Sequence, residues 1–153
     1  MKLEDAIKSN RFADEKHKAT INVLYSAYWL KNNFSTALKG DDLTIEQFNV
    51  MRILKGMHPE QMCVKDIGGR MLEKSSNVPR IIDKLVAKKL AKRSTSKVDK
   101  RETLVLLTER GVSVLEKASA IVDNATNELT GLSESDARLL NELLEKMRNK
   151  LVG

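Results

Sequence analysis

Residues 75–111 read SSNVPRIIDKLVAKKLAKRSTSKVDKRETLVLLTERG, and the periodicity changes twice along them. Ser75, Ser76 and Asn77 are all good helix N-cap types. Pro79 is tolerated in a first turn, where its missing N–H would be unpaired anyway. A helix therefore starts here. Val78, Ile81, Ile82 and Leu85 fall on one face of it, while Asn77, Arg80, Lys84 and Lys88 recur along another. Past this basic stripe the pattern turns to alternation. Leu90 to Thr95 and the β-branched, Leu-rich run Thr103 to Thr108 predict two paired strands, with Ser96 to Glu102 as a charged tip. Helical spacing resumes after Thr108-Glu109.

Working outward from this stretch, Val64 to Leu72 predicts a short helix with Val64, Ile67 and Met71 inward. Its Gly68 and Gly69 cost about 1 kcal/mol each against Ala, so their presence predicts a close helix-to-helix approach. Upstream, Thr44-x-x-Gln47 has the spacing of a capping box and opens a helix carrying Phe48, Met51 and Leu54, which His58-Pro59 stops. A first helix from about Ala13 to Leu38 carries two apolar stripes, one through Ile21, Leu24 and Tyr28, the other through Val23, Ala27, Leu30, Phe34 and Ala37. Such a helix must touch two partners, its own core and, most simply, a second copy of the chain. Downstream, Thr108 caps a helix with Val112, Leu115, Ala118, Val122, Ala125 and Leu129 on one face, ended by Gly131. Ser133-x-x-Asp136 then opens a last helix with Leu140, Leu143, Leu144, Met147 and Leu151 inward. The expected fold class is mainly α with a small β-hairpin wing: a winged helix-turn-helix with N- and C-terminal dimerisation helices. The expected division is 1–38 for an N-terminal segment and dimerisation helix, 39–111 for the winged helix-turn-helix lobe and 112–153 for C-terminal dimerisation helices.

Composition agrees. The 153 residues are 41% hydrophobic and 31% charged with only 4% aromatic, which suits a helical globular domain and excludes a large β-sandwich or a wall of base-stacking rings. The one cysteine, Cys63, cannot form an internal disulfide, and the longest apolar run, Leu104 to Leu107, is far short of a membrane span. These features predict a cytoplasmic protein with no membrane partner. The net charge of +6 is concentrated: residues 60–101 hold twelve basic and five acidic side chains, +7 in all, leaving the rest of the chain at −1. One surface is thus built to meet a polyanion, nucleic acid before an anionic membrane.

Two short helices joined by a tight turn and followed by a basic hairpin place the second helix in the DNA major groove and the hairpin on the flanking backbone or minor groove. Base edges are reached first by short polar or forked donors near the helix N-terminus, a requirement that Ser76, Asn77, Arg80 and Lys84 meet, with Arg80 suited to bidentate guanine contact and Ser75 counted among the DNA-binding residues beside them. Phosphate contacts need only cations, which Lys65, Lys74, Lys88 and Lys97 supply without reading sequence.

At Asp99-Lys100-Arg101 and Leu106-Leu107-Thr108-Glu109-Arg110-Gly111 the chain resembles the wing signature of the multiple antibiotic resistance regulator (MarR) family. Val64-Lys65-Asp66-Ile67 and Val78-Pro79-Arg80-Ile81-Ile82-Asp83-Lys84-Leu85 extend the resemblance over roughly residues 13–150. The resemblance implies a homodimeric winged-helix repressor of pseudo-palindromic DNA, released by a small aromatic or phenolic ligand or by cysteine oxidation. It also implies that Arg101 reaches the minor groove while Asp99 braces it, with Lys100 beside them. The chain departs from the family pattern at Lys89, where glycine is usual at the end of the recognition helix, and at Gly68, where alanine is usual. A left-handed Lys89 would carry a steric cost that glycine avoids, changing the angle at which the hairpin leaves.

Other classes are weaker. No G-x-S-x-G, phosphate-binding glycine loop or Cys/His pairing is present, so no catalytic residue and no cofactor is expected, and His17 and His58, 41 residues apart, lack any metal-ligand spacing. An effector pocket is expected where the first helix and the Thr44–Met57 helix meet the DNA-binding lobe. Tyr25, Trp29, Phe48, Met51 and Arg52 would line it and suit a phenolic or aromatic carboxylate, although most of them serve equally as plain core. The alternatives are a winged helix used for protein interaction or non-specific DNA binding, and a redox-responsive regulator using Cys63. That cysteine lies just before the helix-turn-helix, whereas the family's peroxide sensors keep theirs near the start of the first long helix.

Overall fold

A computed structural model describes residues 1–149 of the chain. The elements in order are α1 (Leu3–Ile7), α2 (Glu15–Leu38), a 3-10 turn (Lys39–Asp41), α3 (Ile45–Lys55), β1 (Met62–Cys63), α4 (Val64–Arg70), α5 (Val78–Ala87), β2 (Ala91–Thr95), β3 (Thr103–Leu107), α6 (Glu109–Thr130) and α7 (Glu134–Asn149). Side-chain caps set most helix starts. The Asp14 carboxylate accepts from the His17 N–H at 2.7 Å, and the Thr108 hydroxyl accepts from the Gly111 N–H at 2.9 Å. Thr44 and Gln47 form the reciprocal capping box expected of them, each side chain accepting from the other's N–H. At the far end Gly131 closes α6 in the left-handed region at φ 57°.

The centre is built on α3, which packs against α2, α4, α5, α6 and β3. Its Val50, Met51 and Leu54 are fully or almost fully buried together with Leu38, Ile67, Ile82, Leu85 and Val105, one contiguous apolar core beneath the helix-turn-helix. β2 and β3 pair antiparallel with Ala91 opposite Leu107 and Thr95 opposite Thr103, leaving residues 96–102 as the tip.

Several expectations are corrected. The sheet has three strands in the order β1-β3-β2, because Met62 and Cys63 pair with Val105 and Leu104; a two-residue strand carries no period of its own. α1 precedes the first long helix, anchored by buried Leu3 and a 2.5 Å Lys18–Glu4 ion pair. α3 ends at Lys55, ahead of His58-Pro59. Gly68 and Gly69 mark no tight helix crossing: a methyl at Gly68 would meet Val78 Cγ2 at an ordinary 3.8 Å, and one at Gly69 would meet nothing within 4 Å. The glycine that packing does require is Gly111, where any side chain would overlap the Leu90 carbonyl. Leu140, Leu143 and Met147 are not inward; each is about half exposed, and no described residue of α7 is buried. Leu151, assigned to the same face, lies outside the described residues.

Candidate nucleic-acid interface

The recognition helix is α5. Asn77 is its N-cap, with Oδ1 accepting from the Arg80 N–H at 3.2 Å, and Val78, Ile82 and Leu85 turn inward. That fixes the opposite face: Arg80 and Lys84 are exposed, and neither makes a side-chain hydrogen bond or ion pair among the described residues. The basic stripe is shorter than its spacing suggests. Lys88 turns back onto the body, donating to the Asp42 carbonyl and to Gln47 Oε1 at 3.1 Å and facing the Asp42 carboxylate at 3.1 Å. Ser76 is also not presented to a groove, since its hydroxyl is sealed from solvent and has no hydrogen-bond partner among the described residues. Ser75 is exposed, with Oγ 3.5 Å from Glu73 Oε1. Lys65 is exposed on the first turn of α4, and Lys74 folds its ammonium against the Gly69 carbonyl at 2.5 Å.

The wing begins at Lys89, whose φ of 60° is the left-handed conformation that its departure from glycine put at issue. Its tip is internally braced. Buried Ser96 accepts through Oγ from the N–H groups of Val98 and Asp99, each at 3.2 Å, and donates its own N–H to the Glu102 carbonyl at 3.0 Å. Asp99 Oδ1 accepts from the Arg101 N–H at 2.9 Å and from Nε at 3.1 Å, while Oδ2 accepts from Nη2 at 3.0 Å. These bonds hold the Asp99 carboxyl below the usual carboxylate range and push the Arg101 guanidinium further towards permanent charge. Arg101 nonetheless remains 90% exposed, and Lys97 and Lys100 are exposed near it in the chain, so the tip presents a braced fork among exposed cations.

Beside this face lies a clamp that sequence reasoning did not find, its Glu46 and Glu73 bordering the same cavity as Asn77, Arg80 and Lys84. Lys31 of α2 reaches Glu73, in the turn between α4 and α5, at 2.8 Å and Glu46 of α3 at 3.4 Å. The bond to Glu73 raises the Lys31 pKa above its ordinary value. Burial pushes the Glu46 carboxyl up, but its own backbone N–H, the Thr44 hydroxyl and Lys31 together hold it below the ordinary range. Nothing local in sequence marks a contact 42 residues apart.

Of the residues expected to line an effector pocket, Phe48 and Arg52 border a cavity of about 460 Å³ between α2, α3 and α6, with the Arg52 guanidinium 5.8 Å from the Phe48 ring centroid. Met51 is buried core, and Tyr25 and Trp29 do not line that space. Phe34, Ile45, Ile53 and Val122 do, apolar positions indistinguishable from core in the sequence. Cys63 is half-buried, and its sulfur caps α4 by accepting from the Asp66 N–H at 3.4 Å.

A helix-turn-helix with free cations on its second helix, followed by a basic wing, defines a winged-helix DNA-binding regulator rather than an enzyme. The family model described as Transcriptional regulator SarA/Rot matches residues 32–118, and the chain belongs to this family. Among its relatives, the HTH-type transcriptional regulator MhqR of Bacillus subtilis is 26% identical over 138 residues, covering 87% of this chain and 92% of that protein. The solved structure of a mutant MarR from E. coli complexed with operator DNA superimposes with a TM-score of 0.78 at 22% identity, covering 90% of this chain and 99% of that one. BpsR of Bordetella bronchiseptica, solved to explain regulation of its DNA binding by 6-hydroxynicotinic acid, gives a TM-score of 0.71 at 26% identity, covering 83% and 96%.

Proposed function

We propose that the chain acts in the cytoplasm as a homodimeric repressor that occupies a pseudo-palindromic operator, α5 of each copy reading a major-groove half-site and each wing gripping the flanking minor groove. The observation that carries this reading is the pairing of free Arg80 and Lys84 on α5 with the braced, exposed Arg101 on the wing: two cationic elements of one lobe, one aimed at bases and one at a narrow groove. The second copy is supported by uncovered apolar side chains on both terminal helices, Leu24 and Tyr28 on α2 and Leu139, Leu140, Leu143 and Met147 on α7, each at least 43% exposed. No helix among the described residues is long and apolar enough to cross a membrane.

Release by a small aromatic acid or phenol is the regulatory part of the proposal. The cavity beside Phe48 and Arg52 supports it, because a planar ring suits the apolar walls and a carboxylate or phenolate suits the guanidinium. The ligand of BpsR, 6-hydroxynicotinic acid, has that chemistry. Selection of bound duplexes from a random pool tests the DNA part. Recovery of a palindrome with half-sites about one helical turn, or 10 base pairs, apart is expected. Weak, salt-sensitive binding without enrichment would refute sequence-specific repression and favour a non-specific or protein-interaction module.

A further inference from the structure

We propose that Asp83 and Arg93 are positioning residues for DNA binding, their ion pair setting the angle between the recognition helix and the wing. The inference rests on the reading that α5 and the wing both engage DNA. β2 is an edge strand paired only with β3, and after Ala91 its residues Lys92, Arg93, Ser94 and Thr95 are all exposed, so no apolar side chain seats this half of the wing. The strand leaves α5 through left-handed Lys89, whose carbonyl accepts from the Thr108 hydroxyl at 2.8 Å, so the base of the wing is held while the strand beyond Ala91 is not. Between the wing, α5 and the start of α4 lies an open cleft of about 430 Å³, bordered by Cys63, Lys65, Pro79, Asp83, Arg93 and Arg101. Across it Arg93 Nη1 donates to Asp83 Oδ1. The other side-chain bond from this stretch, Ser94 Oγ to Gln61 Oε1, is at the 3.5 Å limit, and the Asp99–Arg101 pair is internal to the wing.

Charge argues in the same direction. Asp83 is the single acidic residue of α5 and lies on the turn beside Arg80 and Lys84, where an unpaired carboxylate would repel phosphate. Its partner removes that repulsion and in exchange holds the wing. Both side chains are more than half exposed, so the pair adds little to global stability and its loss leaves the fold intact.

The test compares the unaltered protein with Asp83→Asn, Arg93→Gln and the exchanged pair Asp83→Arg with Arg93→Asp. Amide hydrogen exchange at residues 92–95 is read in the free proteins, and affinity and hydroxyl-radical footprints are read on a duplex selected from a random pool by the unaltered protein. The single variants should unfold at the unaltered temperature, exchange about fivefold faster in β2, and bind about fivefold more weakly, losing flank protection while keeping the centre. The exchanged pair should restore the flanks. Removing the Asp83 charge without a positional role has the opposite sign, since binding would tighten. Unchanged exchange, or Asp83→Asn binding as tightly as the unaltered protein with its flanks protected, overturns the proposal. A footprint of the unaltered protein with bare flanks overturns instead the assignment of the wing to DNA, and needs no variant to be recognised.

Discussion

Arg80 and Lys97 are both exposed cations, yet their settings separate two kinds of contact. Arg80 projects from the first turn of a helix whose other face is core, the setting proposed for reading base edges; Lys97 stands on an exposed hairpin tip, the setting proposed for backbone contact. Arg80→Ala is expected to lower discrimination between specific and random DNA by about 1–3 kcal/mol, whereas Lys97→Ala should weaken all sequences alike and reduce the salt slope by about one; titrations at several salt concentrations check both. Equal losses on random and specific DNA for Arg80→Ala would remove base readout from that residue. Backbone conformation at single positions gives a second set of outcomes. Lys89 holds φ 60° without glycine's freedom, so Lys89→Gly should stabilise the fold by about 0.5–1 kcal/mol in urea unfolding. Gly68→Ala and Gly69→Ala should each stabilise by up to about 1 kcal/mol, since a methyl has room at both, while Gly111→Ala should destabilise strongly.

At the scale of elements, the Lys31 clamp joins three segments that share no sequence neighbourhood. Glu46 has its carboxyl held below 4.5, so its contribution is present above that value and lost as pH falls through the depressed one. Lys31 is raised above 10.5, so its contribution is present below that value and lost only as pH rises through the higher one. The difference in unfolding free energy between unaltered protein and Lys31→Met is therefore expected to be constant across the neutral range, at a few tenths to about 1 kcal/mol, and to vanish in acid. A difference that changes between mildly acidic and mildly alkaline buffer would assign the effect to another group. What was legible at this scale is what is written locally. The Thr44/Gln47 box, the Asn77 and Thr108 caps, the hairpin register and the inward face of α5 each depend on residues a few positions apart. β1, the Lys31 clamp and the return of Lys88 onto Asp42 and Gln47 depend on partners brought together by folding, and neither period nor composition marks them.

For the whole molecule, the sequence predicted the order of the elements other than α1 and β1, and the basic middle; it read the terminal helices as dimerising but turned the apolar face of α7 inward. The pattern of Leu140, Leu143 and Met147 states that this face needs a cover without stating whose. Leu143→Asp should accordingly shift the protein to a monomer in sedimentation and weaken operator binding steeply, because one lobe then binds without the second; a monomer already present in the unaltered protein would refute dimerisation through these helices. Of the five residues expected around an effector, Phe48 and Arg52 border the cavity while Tyr25, Trp29 and Met51 do not, for a related reason. Aromatic positions on α2 and α3 look alike in sequence, and only packing decides that Phe34 and Phe48 border the cavity while Trp29 does not.

The neck of the hairpin carries a consequence of a different kind. The Leu90 carbonyl accepts from the Thr108 N–H at 3.1 Å, the Thr108 hydroxyl donates to the Lys89 carbonyl at 2.8 Å, and Gly111 is pressed beneath the same peptide. The chain is thus knotted off where it leaves α5 and where it enters α6, and the span between behaves as a finger sewn to a glove at its base. Lengthening or shortening that finger at residues 97–100 changes how far it stretches along the duplex and leaves the palm undisturbed. Descendants of such a chain can therefore retune reach by insertion and deletion while their reading helix stays where it was.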